Sequence, residues 1–434
     1  MNAVQKTIDF IQEISADSPI MSTFADHRKA SRRLLIRHGF PTHKDEAWRF
    51  TNIQPLINQE YDFSFGNEAG SQHMPAPVVL ENVHHLSLHP HGKIDQTSLS
   101  EFTRLTGCFI QDILGAEQNE QVKTLFSTII RDSENSFTAL NATLFDRGYV
   151  IVVPDNIHVD KPIHIQIDHT LEDRTLNTNS RLLMVLGKNA QCTLILSSSK
   201  AEGSSFSNMV TEIQLEDNCR MDYYLLQFSG QHAHHMTHTG VFMKKNARLA
   251  AHHFSTGGRT IRNDLTVNLF GQGAGCSLRG LILGKNTDQI DNHTLINHLS
   301  PNCVSTEVFK GILADRSHGI FNGLVTVFPE AQLTSATQKN HTLLLSRDAM
   351  MNSNPQLQIN ADNVKCSHGS STGELDEDAE FYIRSRGINE EMAKFMLIQG
   401  FAREITNSVS NSSVKDVLQS AVDQYLNEVT KAKG

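Results

Sequence analysis

Tryptophan occurs once in these 434 residues and cysteine only six times, at positions 108, 192, 219, 276, 303 and 366, with no CxxC pair. No zinc-ribbon ligand set exists, and such scattered cysteines fit a reducing compartment better than a disulfide framework. No apolar run approaches the ~18 residues of a membrane-spanning helix. The opening MNAVQKTIDFIQEISADSP lacks the apolar centre of a signal peptide, so the expectation is a cytoplasmic protein that does not engage the membrane. Positive charge is also short. The 38 Lys and Arg against 47 Asp and Glu leave a net charge of −9, the wrong sign for gripping nucleic-acid phosphates. Enzyme signatures are missing too: no GxSxG, HExxH or strand–GxGxxG–helix pattern occurs. GLILGKNT at 280–287 fails as a phosphate loop, because its glycine spacing is one residue short and Asn286 stands where a hydroxyl should bind magnesium. The chain is not expected to hydrolyse ATP by itself.

What is present divides into three parts. Residues 1–143 read as a helical and mixed region. Val4, Ile8 and Ile11 mark one helix, and DHRKASRRLLIRHGFP marks a second, with Asp26 as its cap and Gly39 and Pro41 as its stop. The bases Arg28, Lys29, Arg32, Arg33 and Arg37 read as a solvated face favoured by the C-terminal dipole, or else as a surface for an acidic partner. GNEAGSQHMPAP at 66–77 reads as a linker. Residues 144–369 change to strand-like alternation, as in Ile163, Ile165 and Ile167.

A turn followed by a strand start recurs along this central region. Its second residues are Asn189, Asn218, Asn246, Gly273, Asn302 and Ala331, separated by 29, 28, 27, 29 and 29 residues. A near-constant period over six units signals a solenoid, because no unit can bury its apolar face alone. Strand-rich units of this length predict a parallel β-helix. Three residues after each turn come Cys192, Met221, Leu249, Cys276, Ser305 and Thr334, expected to form an inward-facing stack. Residues 370–434 return to helix, with the acids from Glu374 to Glu380 suiting a helix start and Gly387 a helix end. Asn389 should cap the next helix, whose Met392, Phe395, Met396 and Phe401 form an apolar stripe, and Val414, Leu418, Val422 and Tyr425 line the last.

The densest candidate for chemistry lies at 351–387. Alternation through Leu357, Ile359 and Val364 predicts a strand leading into Cys366, Ser367, His368 and Gly369. Residues i and i+2 of a strand share a face about 6.6 Å apart, so Cys366 and His368 can address one metal site. A thiolate and an imidazole suit iron, zinc or an iron–sulfur cluster, but two donors do not close a four-coordinate site. A second polypeptide pairing with the solenoid end would supply the rest; the plain alternative is a packed, hydrogen-bonded pair. Lys365 falls on the opposite face. His232, His234, His235 and His238 in QHAHHMTH read as a solvated loop, and the adjacent His252 and His253 must point apart.

The run NPQLQINADNVKCSHGSSTGELDEDAEFYIRSRGINEEMAKFMLIQGFAREI resembles the C-terminal signature of the SufB/SufD family, its CSHG element most similar to the SufD branch. Residues 293–346 and HKDEAWRFTN at 43–52 are also similar to that family, although Asp362 and Asn363 depart from its paired acids. The resemblance implies a right-handed β-helix with helical flanks and a non-catalytic SufD-like scaffold in a SufBCD complex. There a nascent iron–sulfur cluster would form at the interface with a SufB-like paralogue. His368 is the residue implied to help host it, Cys366 less directly, and residues 370–434 would bind a SufC-like ATPase. Whether a second copy of the chain also pairs with it stays open. The rival reading is a β-helix enzyme acting on carbohydrate or acyl groups, but neither a carboxylate pair nor a hexapeptide repeat marks one.

Overall fold

In a computed structural model the chain is described over residues 23–59, 61, 78–88, 96–132, 135–167, 175–198 and 203–431. The first helix and the linker expected from the sequence lie outside these residues. About seven turns of parallel β-solenoid run between residues 147 and 373, flanked by N- and C-terminal helices, as the repeat period predicts. Each turn contributes one strand to each of two nine-stranded sheets. The first sheet begins at His84–Leu88 and Ile163–Ile167 and ends with Val304–Leu313, Ser335–Leu344 and Lys365–Gly373. The second begins with Phe109–Asp112, antiparallel to Arg147–Val153, and ends with Gln289–His298, His318–Val327 and Met350–Ile359. Leu357 and Cys366 therefore belong to different sheets, with a turn between them, and not to one continuous strand.

The turns explain the repeat. Asn189, Asn218, Asn246 and Asn302 have φ between 56° and 61°, and Gly273 has 72°. Asparagine tolerates this left-handed conformation better than other residues with a Cβ, and glycine has no penalty there. The asparagines also stack: Asn218 Nδ2 donates to Asn189 Oδ1 and Asn246 Nδ2 to Asn218 Oδ1, each at 3.2 Å. At the sixth turn the left-handed residue is Leu333 (φ 61°), not Ala331, because this turn is longer. Leu333 N–H donates to Asn363 O at 2.7 Å, as Asn302 N–H does to Gln332 O at 2.9 Å. The inward stack is accordingly Cys192, Met221, Leu249, Cys276 and Ser305, continued by Ala336 and Cys366 and not by Thr334.

Stacked turns bury an interior of Leu, Ile, Val and Met side chains, with Cys192, Cys219, Cys276 and Cys303 packed in it. Both outer faces are covered. The C-terminal helices Glu390–Thr406 and Ser412–Lys431 lay Ile398, Ala402, Ile405, Val414, Leu418 and Val422 on Tyr224, Phe254, Leu281 and Ile312 of the first sheet. Tyr425 Oη fastens this layer by donating toward Gly284 O at 2.8 Å and Ile312 O at 3.1 Å. The Asn389 side chain caps its helix at the Met392 N–H, 2.8 Å away. Met392 and Met396 of the predicted stripe are exposed, and Ala393, Ile398, Ala402 and Ile405 make the buried face instead.

On the side of the second sheet the helix Ala25–His38 packs against the helix Ser136–Leu144, in part through an unexpected residue. Arg28 is neither solvated nor available to a partner: it is buried, donates to Thr143 O and Phe145 O at 2.9 and 2.7 Å, and lies 4.1 Å from the Phe145 ring centre. Phe24, not Asp26, occupies the cap position of that helix. Among the described residues no helix is long and apolar enough to cross a membrane.

Candidate functional site

The two chemistry-bearing residues of the final strand, Lys365–Gly373, are placed by register. Cys366 pairs with Ala336 and His368 with Gln338, and both partners are buried in the interior. Side chains paired across parallel strands lie on the same side of the sheet. Cys366 and His368 therefore share the inward side, as alternation predicts. Among the described residues no further strand pairs with this one in the first sheet, nor with Met350–Ile359 in the second, so the two sheets end here. His368 is exposed, while Cys366 is half-buried against the interior cluster. Burial pushes the Cys366 thiol above its ordinary range, and the Ala336 backbone opposes this only in part. The thiol by itself is thus not an activated thiolate, and a cation or metal would be needed to ionise it at neutral pH. Among the described residues no three of His, Cys, Asp and Glu come together as a metal-binding group. What lies at this end is one thiol and one exposed imidazole on the same side of the strand.

Behind the strand the interior changes character. One column runs Ile163, Leu194, Tyr223, Ala251, Leu278, then Glu307, Gln338 and His368. Its last three positions are polar. Glu307 is fully buried and accepts a 2.7 Å hydrogen bond from Gln338 Nε2. Sequence reasoning missed both, since they lie 61 and 30 residues before His368 and no local pattern links them.

The histidine tract is a correction. QHAHHMTH is not a solvated loop: Ala233–Met243 is a central strand, with His234, His235 and His238 buried and only His232 exposed. Burial lowers His234 to about 3 and His235 to about 4, so both are neutral at pH 7. His238 has an acidic companion, its Nδ1 lying 3.2 Å from Asp264. That carboxylate belongs to a buried network in which Arg262 reaches Asp264 at 2.9 Å and Asp291 at 3.0 Å, with His293 at 3.1 Å from Asp291. Burial works against ionising Asp264, but the Arg262 guanidinium and His238 outweigh it and hold the carboxyl well below its usual range.

The HKDEAWRFTN segment closes this network from outside. Trp48 lies 3.8 Å from the Arg262 guanidinium, Ala47 O accepts from Arg262 at 2.7 Å, and Thr51 Oγ1 donates to Asp291. The segment is a clasp for the N-terminal region. The pair His252 and His253 separates as expected: His252 stacks on Tyr224 beneath the C-terminal helices, and His253 meets the Tyr223 edge inside.

Residues 169–401 match the family model described as SUF system FeS cluster assembly, SufBD core domain, and residues 4–165 match the SufBD protein N-terminal region. Among similar proteins, the iron–sulfur cluster assembly protein SufD of Escherichia coli is 27% identical over 395 residues, covering 90% of each chain. SufD of Bacillus subtilis is 27% identical over 342 residues, 76% of this chain and 77% of its own. Protein ABCI7, chloroplastic, of Arabidopsis thaliana is 26% identical over 416 residues, covering 92% of this chain and 85% of its own.

Proposed function

The chain belongs to the SufBD family of iron–sulfur cluster assembly proteins and is SufD-like, and from that premise we propose that it is a non-catalytic scaffold holding one side of a cluster-assembly site. The observation that carries this reading is the pair Cys366 and His368 on the inward side of the uncovered last strand. A thiol and an imidazole are two of the donors that an iron–sulfur cargo needs, and the open end leaves the others to a partner. Strand edges left without a neighbour are templates for pairing with another chain. A SufB-like paralogue fits that role, since a second solenoid of the same spacing can continue the sheets. Exposed Phe381 and Tyr382 on the helix Glu377–Arg384, with Met392 and Met396 on the next, form the apolar surface for a SufC-like ATPase. Movement of that partner would be transmitted to the open end through the helices packed on the first sheet.

The test is anaerobic purification of the complex of this chain with its paralogue and ATPase, carrying His368→Ala. The complex should stay intact while its iron and sulfide fall several-fold. Unchanged iron and sulfide would remove the site assignment.

A further inference from the structure

The far end of the first sheet from Cys366 and His368 carries a second histidine arrangement. Its terminal strand, His84–Leu88, begins with two histidines that alternation sends to opposite sides. His84 takes the inward side, and its Nε2 lies 3.3 Å from Asp160 Oδ1. His85 is the register partner of His164 on the neighbouring strand Ile163–Ile167. Both rings lie on the outer side, because Leu86, Leu88, Ile163 and Ile165 alternate into the core.

The two imidazoles meet through like nitrogens. His85 Nδ1 stands 3.3 Å from His164 Nδ1. Each ring turns its other nitrogen to a serine: His164 Nε2 lies 2.7 Å from Ser197 Oγ, and His85 Nε2 lies 3.1 Å from Ser87 Oγ. The ring planes are inclined at 60° with their centres 5.0 Å apart. A straight N–H···N bond of this length would place the centres about 5.6 Å apart, so the Nδ1 atoms meet obliquely, which weakens a hydrogen bond. The spacing suits a shared ion better. Two nitrogens each about 2.05 Å from a tetrahedral metal stand about 3.3 Å apart, whereas neighbouring ligands of a square-planar or octahedral ion at that bond length stand about 2.9 Å apart. Outer oxygen partners on the second ring nitrogens are also what metal-bound histidines commonly have. His164 is buried and fixed, while His85 is exposed, so an ion can approach from solvent on the His85 side.

We propose that His85 Nδ1 and His164 Nδ1 form a site for a four-coordinate divalent metal ion of the zinc class, held between the edge strand and its neighbour. No third His, Cys, Asp or Glu among the described residues joins them, so water takes the remaining positions. Imidazole donors in tetrahedral geometry select zinc over the oxygen-seeking magnesium and calcium. The bound ion also ties the edge strand to the solenoid across 79 residues of sequence.

The test uses the full chain carrying Cys366→Ala and His368→Ala, which removes the donors at the other end of the sheet. It is titrated with cobalt(II), which takes the same tetrahedral geometry as zinc and is strongly coloured in it. One equivalent should bind with that colour, and one equivalent of zinc should displace it. His85→Gln, at an exposed position, should weaken binding at least about tenfold while leaving the metal-free thermal midpoint unchanged. His164→Gln, which keeps an amide to reach Ser197, should weaken it likewise; if it lowers the thermal midpoint, His85→Gln decides alone. A spectrum that stays that of the hydrated ion in the parent chain, or a titration that His85→Gln leaves unmoved, overturns the site. Neither result bears on the reading of His368, whose donors are absent from every protein in the titration.

Discussion

Lowering the pH from 7.5 to 5.5 should destabilise this protein through histidines that fold neutral. Six of them, His164, His234, His235, His252, His253 and His298, are buried, and burial lowers each to about 3 or 4. The folded values lie below the unfolded value of about 6.5, so only the unfolded chain takes up protons as pH falls through that range. Stability is therefore full above pH ~6.5 and is lost progressively toward the folded values. Between pH 7.5 and 5.5 each histidine contributes a loss of about 1.3 kcal/mol, or about 8 for six independent groups. Two buried carboxyls act in the opposite sense: burial raises Asp288 and Glu307 to about 6, so the folded state binds their protons first. They return about 0.8 kcal/mol each, leaving a ceiling of about 6. Relaxation around buried charges reduces such ceilings, and about 3–6 kcal/mol is the expected loss, a large share of typical domain stability. The assay is urea unfolding followed by circular dichroism at pH 7.5, 6.5 and 5.5, with His235→Gln and His253→Gln as non-titrating controls. Each control should lower the pH slope by about one proton's worth, about 1.4 kcal/mol per pH unit at its steepest. A midpoint that stays constant from pH 7.5 to 5.5 would refute the argument.

Replacing Arg262 by Met should cost about 3 kcal/mol, because the fully buried Asp291 would lose its guanidinium and the partly buried Asp264 its partner; the single tryptophan, Trp48, should report the opened clasp as a red shift in fluorescence. The double substitution Phe381→Asp and Tyr382→Asp should abolish capture of the ATPase partner with an unchanged thermal midpoint, since both rings are exposed; undiminished capture would move the docking surface elsewhere. Truncation after residue 370 is a poorer test, because it strips the helices from Tyr224, Phe254 and Ile312. Leu333→Asn should stabilise the chain by about 1 kcal/mol, since leucine there sits at φ 61° where its neighbouring turns use asparagine or glycine; a lower melting temperature would count against it.

The sequence by itself determined the solenoid and the residues at its end. A period of 27 to 29 residues is carried by local signals, asparagine or glycine at a left-handed turn and alternation within a strand, and each can be read without knowing what lies opposite. The shared side of Cys366 and His368 follows from the same alternation. Tertiary structure alone decided what depends on register between turns. The sixth repeat slips by two residues because its turn is longer, so Leu333 and Ala336 take places that counting assigned to Ala331 and Thr334. The histidine tract looked solvated because composition does not reveal that both faces of its strand are covered. Arg262 finds Trp48 across more than two hundred residues, and Glu307 finds Gln338 only because stacking brings the same register position of successive turns within one hydrogen bond. Local geometry is written in neighbouring residues, whereas a column through a solenoid exists only once the turns are stacked.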